Sequence, residues 1–75
     1  MSNVPSVSGA KAIEALRRIG FEVVRTTGSH HIMKKDGHAS TLSVPVLGNR
    51  SLKRGTLRSL IRLSGLTVSD FIDLL

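Results

Sequence analysis

The sequence contains no cysteine. No disulfide framework and no thiolate-ligated zinc can therefore hold it together, and a reducing compartment is compatible with this. Tryptophan and tyrosine are also absent, and only Phe21 and Phe71 represent the aromatics. Modules that read single strands by stacking bases on aromatic platforms need more than this. Nucleic-acid contacts, if made, should fall on phosphate, sugar or helix shape. No apolar run approaches the ~20 residues of a spanning helix, and Met1 to Ala10 lack the charged start and apolar stretch of a signal peptide. The expectation is a cytoplasmic protein with no membrane contact.

Acidic residues are scarce, 5 against 11 Lys+Arg, for a formal net charge of +6. The excess is uneven. Between Gly37 and Ser69 there is no Asp or Glu, while the same stretch holds Arg50, Lys53, Arg54, Arg58 and Arg62. A surface of one sign attracts polyanions over about a Debye length, ~8–10 Å in physiological salt. Nucleic acid is the commonest such partner and an acidic protein the other; the bland alternative is a solvated face. At 75 residues the chain has room for one core and one domain, spanning 1–75, without a deep cofactor cleft. Its 40% hydrophobic content suits a folded domain rather than a disordered basic tail.

What is present reads as a short series of elements. Met1 to Val7 is a polar, loosely ordered lead. Ser8 is the N-cap of a first helix in which Ala12, Ile13, Leu16 and Ile19 recur at helical spacing, and Gly20 stops it. Phe21 to Arg25 reads as a strand, Thr26-Thr27-Gly28-Ser29 as a turn, and His30 to Lys35 as a second strand. Asp36-Gly37 is a hairpin signal. Ala39 to Val46 reads as a third strand, and Pro45, which lacks an N–H, places its end at a sheet edge. A loop follows, Leu47 to Lys53. A second helix starts at Arg54 or Thr56 and ends at Ser64, with Leu57, Leu60 and Ile61 as its apolar stripe and Gly65 as its stop. Arg54, Arg58 and Arg62 share one of its faces. Thr67 and Asp70 form a near-capping-box before a final short helix whose apolar side is Phe71, Leu74 and Leu75. The fold class is α+β in the order α-β-β-β-α: a three-stranded antiparallel sheet with helices on one face. The double-stranded-RNA-binding domain has this element order, which is an analogy of fold and not of function.

Three histidines carry the chemistry: His30, His31 and His38. Neighbours on a strand, His30 and His31 point to opposite faces and do not readily ligate one ion; with no cysteine and only Asp36 nearby, no metal and no cofactor is expected. Acid–base work is the second use, since the ordinary histidine pKa, about 6.5, suits proton transfer near neutral pH; the plain alternative is a surface or edge-packed histidine with no role. RNA cleavage needs no metal if a base takes the 2′-hydroxyl proton and cations stabilise the phosphorane. Strand parity leaves the placement of His30 open. Either Ile32 faces inward and takes His30 with it, or Met33 does and leaves His30 outside. Ser29 has no triad partner and no G-x-S-x-G elbow; it reads as a turn residue able to hydrogen-bond phosphate. Gly48-Asn49 is a turn, since no Gly-Lys-Ser/Thr follows.

Taken together, Gly20-Phe21 with Arg25, Gly28-Ser29-His30, Val44-Pro45-Val46, Gly55-Thr56-Leu57-Arg58, and Gly65-Leu66 with Phe71 resemble the HicA family. Its members are small mRNA interferase toxins of bacterial and archaeal toxin–antitoxin systems. The likeness runs from about Pro5 to Leu75. It implies a fold like the double-stranded-RNA-binding domain, cleavage of mRNA, and neutralisation by a HicB-type antitoxin. The family's catalytic histidine lies in the glycine-serine-histidine motif and matches His30; no role transfers to His31. Family members often carry a second histidine two residues after the proline of the third strand, where this chain has Leu47.

Three functions follow from these readings. The first is an endoribonuclease toxin with His30 as general base or acid and with Ser29, Lys34, Arg54, Arg58 and Arg62 on phosphate. The second is a non-catalytic RNA-binding module that uses the same basic face. The third is an interaction subunit whose charge meets an acidic partner.

Overall fold

The computed structural model describes residues 4–75. The order is α1 (Gly9–Arg17), β1 (Glu22–Thr27), β2 (His30–Lys34), β3 (Leu42–Pro45), α2 (Arg54–Leu63) and α3 (Val68–Asp73). The strands form one antiparallel sheet in the order β1-β2-β3, so β3 is an edge, as Pro45 implied. The expected α+β architecture is present.

Local chemistry sets the helix ends. The Ser8 hydroxyl accepts the Lys11 N–H and opens α1. At its other end Phe21 N–H donates to the Leu16 carbonyl and Gly20 N–H to Arg17, the Schellman pattern. The same pair of bonds closes α2, from Leu66 to Ile61 and from Gly65 to Arg62. Thr67 and Asp70 make a complete capping box at the start of α3.

All helices cover one face of the sheet. Met33, Leu42 and Val44 are fully buried and share the core with Ala12, Ala15 and Leu16 of α1, Leu57, Leu60 and Ile61 of α2, and Phe71 of α3. Phe21, also fully buried, follows α1 into this core. Each of the larger side chains so buried contributes about 1.5–3 kcal/mol relative to exposure, and each alanine methyl less.

Several expectations are corrected. The lead is not loose where it is described: Val4 and Val7 are buried against the core, while Met1 to Asn3 lie outside the described residues. Leu52 N–H donates to the Val7 carbonyl at 2.7 Å, and Ser8 bridges to Ser51, so the lead is pinned by the loop before α2. Thr26 and Thr27 belong to β1, and only Gly28-Ser29 turns. Gly28 takes φ +57° at the first loop position and Ser29 does not take a positive φ, the pattern of a type II′ hairpin. The third strand starts at Leu42, not Ala39. The preceding loop is drawn elsewhere, because His38 Nε2 donates to the Leu63 carbonyl of α2 at 2.7 Å and its ring meets Phe21 edge-on at 5.2 Å. Leu75 is 52% exposed and adds nothing to the core.

Candidate nucleic-acid interface

Register settles the histidine question. Met33 pairs with Val23 and Leu42, and all three point toward the helices. Ile32 and His30 therefore face the uncovered side. His30 stands between Thr27 on β1 and Pro45 on β3, its direct cross-strand partners. His31 takes the opposite face, level with buried Val44, and its Nδ1 lies 3.4 Å from the Ser29 carbonyl. That carbonyl also accepts the Val46 N–H at 2.7 Å, which ties the hairpin carrying His30 to the end of β3.

A bulge adds a cation to the same face. Val23 pairs with Met33 but Arg25 pairs with Ile32, so Val24 is an extra residue on β1. Without it Arg25 would share the covered side with Val23. With it, exposed Arg25 joins His30 on the open face, diagonally across the ladder. Diagonal positions lie roughly 7–8 Å apart, within reach of a long side chain. Ser43 holds the matching diagonal on β3.

The remaining sequence candidates do not gather at one point. Ser29 sits in the turn beside His30 and is half-buried. Lys34 is exposed on the open face opposite Glu22, but four residues from His30 along the strand, roughly 13 Å at strand rise. Arg54, Arg58 and Arg62 are all exposed, on a helix of the other layer. The two ends of α2 lie at opposite ends of the sheet. Its first turn approaches β3 near Pro45, where Pro45, Leu47, Lys53 and Thr56 line one groove. Its last turn meets His38, in the loop after Lys34. Arg54 thus stands at the His30 end and Arg62 at the Lys34 end, roughly 12 Å apart by helix rise.

The groove was missed by sequence reasoning. It holds about 300 Å³ and is walled by Pro45, Leu47, Arg50, Leu52, Lys53 and Thr56. Arg50 and Lys53 belonged to the acid-free stretch, but only the fold brings them to the cross-strand partner of His30. Arg25 was visible as part of a motif; its face was not, because a bulge shifts side-chain parity without a mark in the composition. Among the described residues, no three His, Cys, Asp or Glu side chains come together in an arrangement that could hold a metal ion. No described helix is long and apolar enough to cross a membrane.

A family model described as HicA toxin of bacterial toxin-antitoxin matches residues 9–66, more than half of the 75. The chain belongs to the HicA toxin family. The match begins at the first residue of α1 and ends just past the Gly65 stop of α2, so it contains the sheet, His30, the bulge and the groove. As a HicA-family chain it takes the toxin's part in a toxin–antitoxin pair. A search of curated proteins returns no match.

Proposed function

We propose that this HicA-family toxin is a metal-independent endoribonuclease of the cytoplasm that cuts mRNA with His30 and is silenced by a HicB-type antitoxin. The observation that carries this reading is the position of His30: on the uncovered sheet face, between Thr27 and Pro45, with Arg25 on the diagonal. In the reaction, an imidazole nitrogen of His30 accepts the proton of a ribose 2′-hydroxyl. The oxygen attacks the adjacent phosphorus, and the bond to the 5′-oxygen breaks. That oxygen takes up a proton from water and His30 returns its own to solvent, leaving a 2′,3′-cyclic phosphate and a 5′-hydroxyl end. Positioned acid–base catalysis of this kind supplies about 10²–10⁴-fold.

Arg25 is the group that meets the charge developing on the phosphorane, since a guanidinium offers paired N–H donors to phosphate oxygens. Ser29 contributes a hydroxyl at the turn. Arg54, at the same end of the molecule, and Lys34, Arg58 and Arg62, further off, hold flanking phosphates rather than the scissile one.

The reading is tested by inducing wild type and His30→Ala in cells, with growth and RNA integrity as readouts. His30 is exposed, so the variant should fold. The expected result is loss of growth arrest and of RNA degradation. Equal toxicity of the variant would sink the assignment, and salt-sensitive RNA binding without cleavage by the wild type would favour a non-catalytic binding module.

A further inference from the structure

We propose that the groove beside β3 is a nucleotide subsite: it seats the base and flanking phosphates of the residue next to the one cut at His30. This rests on the endoribonuclease reading and extends it from one histidine to a substrate track. Pro45 joins the two places, being the cross-strand partner of His30 and one wall of the groove. The other walls divide by chemistry. Leu47, 55% exposed, and half-buried Leu52 are apolar surfaces against which a base can lie. Arg50 and Lys53 are exposed cations at the same groove.

Charge favours a nucleotide as occupant. The chain has no Asp or Glu between Gly37 and Ser69, so no carboxylate of this segment opposes a phosphate there. A groove of about 300 Å³ also suits a single small group. The walls are pinned before any ligand arrives. Arg50 N–H donates to the Leu47 carbonyl at 3.1 Å, Leu52 N–H to Val7 at 2.7 Å, and the Ser6 hydroxyl to Ser51 Oγ at 3.1 Å. Preorganisation of this kind lowers the ordering cost of binding. With no aromatic wall the subsite reads size rather than base identity.

The test uses a short fluorescein-labelled single-stranded RNA, fully 2′-O-methylated so that it binds without being cut, and the unmodified RNA for cleavage. The variants are Leu47→Asp, the pair Arg50→Ala/Lys53→Ala, and a control pair, Arg17→Ala/Arg18→Ala, that removes the same charge from exposed positions at the end of α1. Thermal melts check folding. The groove pair should flatten the log-affinity against log-salt slope by about 1.4, at ~0.7 per single-strand phosphate contact. Leu47→Asp should weaken binding about tenfold through charge repulsion and lost apolar contact. Groove variants that bind and cleave like the control pair would overturn the subsite, and the nuclease reading would survive if His30→Ala alone were inactive. Loss of binding in the groove variants of a protein that never cleaves RNA would sustain the groove and remove the nuclease.

Discussion

Leu42 and Ser43 are neighbours on β3 and belong to different parts of the molecule. Leu42 is fully buried beneath the helices, whereas Ser43 is exposed on the open face, on a diagonal from His30. The same division runs through β2, where Met33 is fully buried while His30 and Lys34 are exposed. One face holds the fold together and the other is free to meet a ligand. In a domain this small, alternation along a strand lets a single sheet serve both ends, because side chains one residue apart do not share an environment. The histidines divide likewise: His30 on the open face, His31 level with Val44 on the covered one, and His38 used to join a loop to α2.

The sharpest way to break this comparison is to truncate both neighbours. Leu42→Ala should cost about 2–5 kcal/mol, a fall in melting temperature of at least about 8 °C for a domain of this size. Cleavage per folded molecule should hold. Ser43→Ala should change stability by no more than about 0.5 kcal/mol. Equal thermal shifts for the two would show that the faces are not separated as described.

Gly9→Ala probes the seam between the layers. A Cβ there would run into the carbonyl oxygen of Pro45, on the strand end that faces His30. Helix propensity favours alanine by about 1 kcal/mol, but overpacking against backbone costs about 1–3 kcal/mol, so net destabilisation is expected in a thermal melt, together with reduced cleavage as Pro45 shifts. A stabilised, fully active variant would contradict the contact. His38→Ala should touch stability alone. It removes one hydrogen bond to Leu63 and an edge contact with Phe21, about 1–2 kcal/mol, and should leave cleavage per folded molecule at the wild-type value. Lost cleavage in a fully folded His38 variant would place catalysis at the wrong histidine.

Much of the fold was legible because its signals are local. Ser8, Gly20, Gly65 and the Thr67/Asp70 box act within a few residues, and each ends its helix where the sequence indicated. What escaped was set by contacts distant in sequence. Val4 and Val7 read as part of a polar lead, yet both are buried against the core, and the loop near Leu52 returns to bond Val7. The third strand lost its first residues to the His38–Leu63 bond. Of the candidate site, His30 and Ser29 were readable from one motif, but whether His30 faced in or out depended on the register with Met33. The basic stretch was readable as composition. Its division between Arg54 at the His30 end and Arg62 at the far end follows from the direction of α2 across the sheet, and the recruitment of Arg25 follows from one extra residue at Val24.

His30 is the proposed catalytic residue of the open face, and the adjacent histidine is its natural control. Purified wild type, His30→Ala and His31→Ala should be incubated with unmodified single-stranded RNA in excess chelator. Wild type and His31→Ala should both cleave, within a few-fold of each other, while His30→Ala should fall by about 10²–10⁴-fold with its fold intact. Cleavage by His30→Ala at the wild-type rate, or loss of activity in His31→Ala instead, would contradict that assignment.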